Sequence, residues 1–331
     1  MSLLARVSII IPTHNGAATL AACLDALQAA SIAPYEIIVV DDASTDASAA
    51  IAERRGARVL RVNENIGAAR AKNAGAAAAT GAILFFTDDD VIISPDALAR
   101  VADCLRDARV AGVVGLLSAQ IPFRDFASQY KNFWMRFSYE RLPRERIGVF
   151  YTSIAAIRRE IFHSLGGFDE NYRGASIAED TEFGQRAWAA GHNILLDPRI
   201  AGVHHKRYSL AQVLQTDFRR ARALTLMRLR KWGQPFFTSV PVFYQLAVPL
   251  TFVTLALFIG AVIFNNLILL LLAALFALDF YVINSVWFIY LARERGIGMA
   301  LRAALFQPLD VVAVGAGMLA AGVEFVRGTR Y

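Results

Sequence analysis

The stretch Ile83–Asp90, ILFFTDDD, decides the fold, because an apolar run ends directly in three consecutive carboxylates. The run itself is typical of a buried strand. Carboxylates at the end of a buried strand repel one another and cost several kcal/mol to desolvate. We therefore expect a divalent cation, or a cation bound to phosphate, to offset their charge. The alternative is a solvated turn that caps the helix beginning near Pro95.

A second acidic cluster has the same arrangement. The β-branched run Glu36–Val40 ends in Asp41 and Asp42, followed by Ala43–Asp46. In open α/β sheets, ligands bind at the carboxyl ends of the strands, so both clusters are predicted to lie on one rim of the sheet. This rim is the predicted site.

The region from Val7 to about Gly115 alternates β-branched runs with alanine-rich segments, as successive βα units do. Strands are predicted over Val7–Ile11, Glu36–Val40, Ala57–Val62, Ile83–Thr87 and Val110–Leu116. Helices are predicted over Ala18–Ala30, Ala47–Arg55, Ile66–Ala79 and Pro95–Asp107. The predicted fold class is α/β, with a doubly wound, mostly parallel sheet.

Beyond this region the pattern is looser. Between Arg124 and Gly202 we expect mixed structure that covers the mouth of the site, including a helix over Asp180–Gly191 that ends at its glycine. Aromatic residues at near-helical spacing favour a packed, membrane-proximal face over a surface that stacks on sugars. They are Phe126, Tyr130, Phe133, Trp134, Phe137 and Tyr139.

The C-terminal part of the chain is strongly apolar, and it raises the mean hydropathy to +0.42. Val240–Phe264 and Leu267–Ala292 are each long enough to cross a bilayer, which needs roughly 20 apolar residues, and the Asn265-Asn266 turn predicts a hairpin. The third apolar stretch, Ala303–Val326, carries polar residues. It is predicted either to span the membrane or to form a kinked or interfacial segment. Its small residues Ala313, Gly317 and Ala321 permit close helix packing, within the bundle or in an oligomer.

Charge and cysteine content narrow the classes of function. The net charge is +6, but the basic residues crowd into 219–231, just before the first apolar segment, as the positive-inside rule and anionic lipids favour. This distribution argues against a nucleic-acid partner. The two cysteines, Cys23 and Cys104, are predicted to be reduced core residues, and no signal peptide is evident at the start.

These patterns predict three segments. Residues 1–210 form a catalytic domain, 211–236 a basic juxtamembrane segment, and 237–331 a membrane region with two or three helices. The predicted location is the inner (plasma) membrane, with several passes and a cytoplasmic catalytic domain.

Ordered motifs along the first domain resemble those of family 2 glycosyltransferases with the GT-A fold. They are SIIIPTHN at 8–15, VDDASTD at 40–46, AKNAG at 71–75, TDDD at 87–90, GGFDE at 166–170 and Glu179-Asp180. The resemblance covers roughly residues 7–210 and implies inverting transfer of a sugar from a nucleotide diphosphate sugar, with a UDP-sugar favoured. A divalent Mg or Mn ion would neutralise charge on the leaving diphosphate.

The resemblance also implies roles for individual residues. Asp88 and Asp90 match the family's Asp-x-Asp pair, with Asp90 as a direct metal ligand and Asp88 holding ribose or metal. His205 matches a metal or diphosphate contact, although the doublet leaves His204 as an alternative. Nucleotide-sugar contacts are implied for Pro12, Thr13, His14, Asn15, Asp41, Asp42, Lys72, Asp88 and Asp89.

An acceptor hydroxyl must lose its proton as it attacks, so an inverting enzyme needs a carboxylate base. Asp180 matches the family's base, and Glu179 is expected to support the loop. The alternative for this pair is an acidic helix start that complements the helix dipole.

The predicted function is transfer of a sugar to a hydroxyl of a lipid-linked or membrane-associated glycan in synthesis of cell-envelope polysaccharide, one addition at a time. The first alternative is transfer to a polyprenyl phosphate, which needs no base. The second is a non-catalytic membrane subunit that binds a sugar nucleotide.

Overall fold

We describe a computed structural model, which covers residues 6–172, 178–231 and 233–328. One eight-stranded sheet has the order β3-β2-β1-β4-β7-β6-β8-β5. The strands are β1 (Val7–Thr13), β2 (Glu36–Asp42), β3 (Arg58–Val62), β4 (Ile83–Thr87), β5 (Val91–Ile93), β6 (Val110–Leu117), β7 (Ile154–Arg158) and β8 (Asn193–His204). The strands β1, β2, β3, β4 and β6 match the sequence prediction closely, because their β-branched and aromatic residues suit a buried pleated surface.

Helices occupy the segments between and after these strands. They are α1 (Leu20–Gln28), α2 (Ser48–Arg54), α3 (Ala68–Ala78), α4 (Ala97–Cys104), α5 (Phe126–Glu140), α6 (Arg159–Ser164), α7 (Glu179–Ala189), α8 (Leu210–Arg230), α9 (Val242–Ile263), α10 (Leu267–Arg295) and α11 (Ile297–Val326). The helix α7 stops where predicted, since Gly191 follows it with a φ of +84°.

The first half of the sheet is parallel and forms the predicted rim. Strand β1 pairs in parallel with β2 on one side and β4 on the other, and β2 pairs in parallel with β3. Both acidic clusters therefore flank the carboxyl end of β1, as the sequence predicted. The second half is mixed, because β7 runs antiparallel between β4 and β6 while β8 runs parallel to β6.

Two apolar layers hold the sheet. On one face, Ile9, Ile11 and Phe85 are fully buried in the main core cluster with the side chains of α1 and α4. A second cluster consists of the phenylalanines Phe86, Phe150, Phe162, Phe168 and Phe183, whose rings lie within about 5–6 Å of their neighbours. Each fully buried side chain of this size contributes about 1.5–3 kcal/mol relative to an exposed one.

The chain divides into two compact units. The sheet unit comprises 1–123, 139–206 and 233–237, and the helical unit comprises 124–138, 207–232 and 238–331. The predicted division into 1–210, 211–236 and 237–331 stays a prediction, and Arg124–Ser138, which it placed in the catalytic domain, belongs to the helical unit. The basic segment predicted at 211–236 is for the most part helix α8 of that same unit.

Among the described residues of the helical unit, three helices are long and apolar enough to cross a membrane. The predicted turn joins α9 to α10, with Asn265 in the left-handed region and the Asn266 side chain accepting hydrogen bonds from the first turn of α10. Helix α11 starts earlier than the predicted Ala303, directly after Gly296, whose φ is +84°. The predicted apolar stretch is thus one long helix.

Packing within the helical unit explains the aromatic segment and the small residues. The rings of Tyr130 and Trp134 lie 5.9 and 5.2 Å from that of Trp287 in α10, so these aromatic side chains are buried in helix packing rather than presented to a sugar. Gly317 of α11 sits so close to α8 that a Cβ there would lie 2.3 Å from the Phe218 carbonyl oxygen. The small residue permits close packing within the chain, which is one of the two options that the sequence left open.

Candidate functional site

The floor of the site consists of the loops after β1 and β2, which are joined by hydrogen bonds. Asn15 has a φ of +57°, its backbone N–H donates to Ser44 Oγ at 2.9 Å, and its Oδ1 accepts from the Thr45 N–H at 2.8 Å. A ring nitrogen of His14, Nδ1, lies 2.6 Å from the Asp42 carbonyl oxygen. His14 and Asn15 are exposed, so they line an open surface at the strand ends, beyond Pro12 and Thr13.

The two predicted nucleotide carboxylates on β2, by contrast, are buried and engaged by the backbone. Asp42 accepts from the N–H groups of Ile66 and Gly67 at 2.7 and 3.0 Å. Asp41 accepts from the Ser44 N–H at 3.1 Å. Both residues are 5% exposed. The Asp42 clamp also explains why α3 starts at Ala68 rather than at the predicted Ile66, and a nucleotide contact for either carboxylate stays a prediction.

The acidic segment after β4 is fixed by hydroxyl groups. Ser153 Oγ donates to Asp88 Oδ2, and Thr13 Oγ1 donates to Asp89 Oδ2, each at 2.5 Å. Burial, together with the charges of Asp90 and Asp88, raises the pKa of Asp89 to about 7, although the Thr13 hydrogen bond opposes this shift. Burial beside the same acidic side chains raises the pKa of the Cys23 thiol, which keeps this cysteine an inert core residue, as predicted.

The third carboxylate, Asp90, faces the histidine doublet. Strand β5 pairs antiparallel with β8, so that Val91 lies opposite His204. Nε2 of His204 lies 3.3 Å from Asp90 Oδ1, whereas His205 uses its backbone N–H to contact the Asp90 carbonyl oxygen. Burial alone would raise the pKa of Asp90, but His204 and Lys206 hold it below its usual value. The histidine side chain beside Asp90 is therefore His204, and the metal role assigned to His205 stays a prediction.

The carboxylates of the acidic segment fit a divalent cation whose remaining ligands come from a substrate. Oδ1 of Asp90 is buried, and His204 Nε2 lies 3.3 Å from it. Across residues 6–172, 178–231 and 233–328, no three His, Cys, Asp or Glu side chains are arranged to hold a metal ion by themselves. Mg²⁺ is usually bound through one or two carboxylates plus substrate phosphates. A partial site of this kind at Asp90 and Asp88 stays a prediction.

Lys72 lies in a fully buried ion pair rather than on an open surface. Its Nζ donates to Glu179 Oε1 at 2.9 Å and to Thr152 Oγ1 at 2.6 Å, and the side chains of Lys72 and Glu179 are 1% and 2% exposed. Burial alone would lower the pKa of Lys72, but the charges of Glu179, Asp88 and Asp180 outweigh burial and raise it. A contact of Lys72 with diphosphate stays a prediction.

The ion pair lies at the start of α7, where Asp180 occupies the first turn. Asp180 Oδ1 accepts from the Thr181 N–H at 2.6 Å and from its hydroxyl at 3.2 Å. Negative charge is favourable at this end of a helix. Unlike Glu179, Asp180 is only partly buried, which suits the predicted division between a supporting and a reactive carboxylate.

Hydrogen bonds of the remaining motif residues connect α3, the GGFDE motif and α7 within the sheet unit. The Asn73 side chain donates to the Phe168 carbonyl oxygen and accepts from the Phe168 N–H, both at 2.9 Å. Arg186 of α7 donates to the Gly167 carbonyl oxygen at 2.7 Å. All of the GGFDE motif, residues 166–170, is described, and residues 173–177 lie outside the described part of the chain.

Three residues of the site were missed by sequence reasoning. A Cβ at Gly16 would lie 2.0 Å from Asp89 Oδ2, so this position has room only for glycine in the observed arrangement. Thr152 and Ser153 contact Lys72 and Asp88. Gly16 directly follows the first motif, so its position in the sequence could have indicated a role in the site. Thr152 and Ser153 only precede the apolar run of β7, and no motif marks them.

Comparison with known proteins gives a consistent result. A family model described as glycosyl transferase family 2 matches residues 8–166. The O-antigen chain rhamnosyltransferase WbaN of Salmonella anatum is 28% identical over 227 residues, which cover 64% of this chain and 70% of that protein. A PGL/p-HBAD biosynthesis glycosyltransferase of Mycobacterium bovis (strain BCG) is 31% identical over 194 residues, which cover 55% of this chain and 69% of that protein.

Solved structures share the fold. The mannosyltransferase PcManGT from Pyrobaculum calidifontis, in complex with GDP-Man and Mn²⁺, matches with a TM-score of 0.58 at 22% identity. The match covers 97% of this chain and 87% of that one. Residues 1–349 of TarS from S. aureus give a TM-score of 0.51 at 18% identity, over 68% of this chain and 65% of that one. At these identities the likeness concerns the fold alone.

Proposed function

Since the chain belongs to family 2 of the glycosyltransferases, we propose that it moves a sugar from a nucleotide diphosphate sugar to a hydroxyl of a membrane-associated glycan, with inversion at the anomeric carbon. The observation that carries this proposal is the position of Lys72. Its Nζ contacts Glu179 at the start of α7, and the charges of both Asp88 and Asp180 act on it. Asp88, the carboxylate on the donor side, and Asp180, the candidate base, therefore both lie near the buried ammonium of Lys72.

Asp180 acts as the general base in this proposal. It takes the proton of the acceptor hydroxyl while the oxygen forms a bond to the anomeric carbon and the bond from that carbon to the diphosphate breaks. The electron pair of the broken bond leaves with the diphosphate. A positioned base of this kind contributes typically 10²–10⁴-fold to the rate.

The donor's diphosphate belongs at the acidic rim. Asp90 and Asp88, with His204 or His205 beside them, would hold Mg²⁺ or Mn²⁺, and the ion when bound supplies positive charge to the leaving diphosphate. The exposed side chains of His14 and Asn15 would contact the nucleoside, and Thr13, the residue before them, donates a hydrogen bond to Asp89.

Membrane attachment is part of the proposal. Helices α9 and α10 form an apolar hairpin, and basic residues lie before it in α8 and after it at Arg293 and Arg295. By the positive-inside rule, both flanks are cytoplasmic, and the sheet unit would then face the cytoplasm at the inner membrane. The wide apolar exposure of α9 and α10 matches a lipid environment.

We propose that α11 lies at the membrane interface instead of crossing. Its C-terminal half packs along the basic helix α8, where Arg222 forms a salt bridge with Glu324 at 2.6 Å and Gly317 meets the α8 backbone. A helix packed along α8, which carries several arginines, would be costly in the bilayer centre. This placement also keeps the Arg327 end on the cytoplasmic side, in agreement with the charge rule.

The donor sugar and the acceptor are narrowed by the relatives. Two of them are named as O-antigen chain rhamnosyltransferases, so we propose a deoxyhexose such as rhamnose, or another hexose, as the transferred sugar and a lipid-linked glycan as the acceptor. A hydroxyl acceptor is favoured over a polyprenyl phosphate because a phosphate is already ionised near neutral pH and gives Asp180 no proton to remove.

The test is release of nucleoside diphosphate by the detergent-purified full chain. UDP-glucose, UDP-N-acetylglucosamine, GDP-mannose and dTDP-rhamnose are each supplied with Mn²⁺, with Mg²⁺ or with a chelator. We expect metal-dependent release from one donor, its loss in Asp90→Ala, and its retention in Asp103→Ala, a matched change at a surface pair with Arg106. Binding of a donor without transfer or hydrolysis under any condition would contradict the proposal and favour a non-catalytic subunit.

A further inference from the structure

The contacts of Lys72 join the two sides of the site. It projects from α3, contacts Glu179 of α7, and contacts Thr152, the neighbour of Ser153. Ser153 in turn donates to Asp88. A continuous path therefore runs from the donor-side carboxylate through Thr152 and Ser153 to Lys72, and from there to Glu179, the residue before Asp180.

The geometry argues against a free lysine that awaits a phosphate. With 1% of its side chain exposed, Lys72 can reach a ligand only if its ion pair with Glu179 opens. Opening would separate two charges in the protein interior, since the Glu179 side chain is itself only 2% exposed, and breaking a buried ion pair is strongly unfavourable. The ammonium also lies over the Phe168 ring, 5.7 Å from its centre, which adds a further contact to the buried position.

We propose that Lys72 is a positioning residue: through Glu179 it fixes the first turn of α7, and so sets where Asp180 stands relative to the donor held at Asp88. On the sheet side, Thr152 contacts Lys72 and the adjacent Ser153 contacts Asp88, so both help to fix this arrangement. This inference rests on the proposed glycosyl transfer, in which Asp180 is the base. It departs from the diphosphate contact that the sequence motif implies for Lys72.

The two roles make opposite predictions for Glu179→Gln. If Lys72 were a diphosphate ligand restrained by Glu179, this variant would release the lysine and tighten diphosphate binding by about tenfold or more, in line with gaining a charge-assisted contact. If Lys72 is a positioning residue, diphosphate binding stays within about threefold, and the turnover rate of transfer falls. A displacement near 1 Å can lower a rate on the order of 100-fold.

A second variant separates loss of the ion pair from misfolding of the chain. Lys72→Met alone removes the cation from beside the buried Glu179 carboxylate and is the change most prone to unfold the chain. The double variant Lys72→Met/Glu179→Leu removes both charges and keeps apolar volume, so it isolates the loss of the pair. Glu53→Gln is the matched control, because Glu53 forms an exposed pair with Arg61.

The experiment measures binding and turnover separately on the full chain in detergent. Calorimetry with Mn²⁺ and each of UDP, GDP and dTDP gives the diphosphate affinity, and initial rates with the matching donor give kcat and KM. We expect Glu179→Gln and the double variant to bind diphosphate like the wild type, with donor KM unchanged and kcat lowered on the order of 100-fold. Tighter binding by Glu179→Gln, weaker binding by the double variant, or an unchanged kcat would each overturn the inference.

Failure of this inference is distinct from failure of the proposed function. If the wild type releases no diphosphate from any donor, the transferase proposal fails, whereas the affinities of the variants still decide whether Lys72 touches diphosphate. If the wild type is active and the variants match it in kcat, only the positioning role fails.

Discussion

Gly16→Ala should disturb the donor site with little change to the fold. In the observed arrangement, the new Cβ would lie 2.0 Å from Asp89 Oδ2 and 2.5 Å from Thr13 Oγ1, well inside any real contact distance. The backbone of Gly16 is not free to move, because its carbonyl oxygen accepts the N–H groups of Thr19 and Leu20 at the start of α1, both at 3.0 Å. The Asp89 carboxylate must therefore rotate away, and the Thr13–Asp89 hydrogen bond breaks.

The size of the effect follows from that bond. A hydrogen bond to a charged group contributes about 1.5–3 kcal/mol. If the observed position of Asp89 is the one that binds the donor, this loss corresponds to a roughly 10- to 150-fold weaker affinity. The free energy of unfolding should fall by less, since replacing glycine with alanine at a permitted backbone angle returns about 0.4–1 kcal/mol through the unfolded state.

The assay is calorimetry of nucleoside diphosphate binding in the presence of Mn²⁺, with Thr13→Ala measured beside Gly16→Ala. Both variants should lose a similar amount of affinity, because both remove the same hydrogen bond. Gly322→Ala in α11 is the control, since a Cβ at that position meets nothing within 4 Å. Wild-type affinity in Gly16→Ala, with the fold intact, would refute the reasoning that Asp89 is held in its binding position by Thr13.

Three further predictions concern stability and orientation. Asp42→Ala should lower the free energy of unfolding by about 1–3 kcal/mol, because two partly buried N–H groups lose their acceptor, and Asp42→Asn should lose less; equal thermal midpoints for the wild type and Asp42→Ala would contradict these hydrogen bonds. Gly317→Ala should lower the thermal midpoint while Gly322→Ala does not, because only the first Cβ collides with the α8 backbone; indistinguishable midpoints would argue against this close packing. Finally, a membrane-impermeant maleimide added outside intact cells should label Asn265→Cys but not Gly328→Cys, and external labelling of Gly328→Cys would show that α11 crosses.

Much of the sheet is encoded locally, which is why the sequence predicted it. The strands β1, β2 and β4 are apolar, β-branched or aromatic runs that end in polar residues, and a parallel arrangement then brings their ends to one rim. The α9–α10 hairpin is likewise local, because its apolar length and its Asn265-Asn266 turn are contiguous in the chain.

The parts that sequence could not fix depend on long-range pairing. Lys72 and Glu179 are 107 residues apart, and nothing in either motif indicates that they neutralise each other in a buried pair. The choice between His204 and His205 depends on the three-residue strand β5, because successive residues of a strand point to opposite faces. The aromatic segment 126–138 looked like part of the first domain because its covering partner, Trp287, comes far later in the chain.

The measurement that tests the central claim most directly compares Asp180→Asn with the wild type in sugar transfer and in donor binding. Transfer is followed as label from the active sugar nucleotide that enters the lipid-linked glycan fraction of membranes, and donor affinity is measured by calorimetry on the same preparations. We expect Asp180→Asn to lose about 10²–10⁴-fold in turnover while it binds the donor with wild-type affinity. Transfer at the wild-type rate by Asp180→Asn would contradict the role of Asp180 as the base, because no base at that position would then be needed.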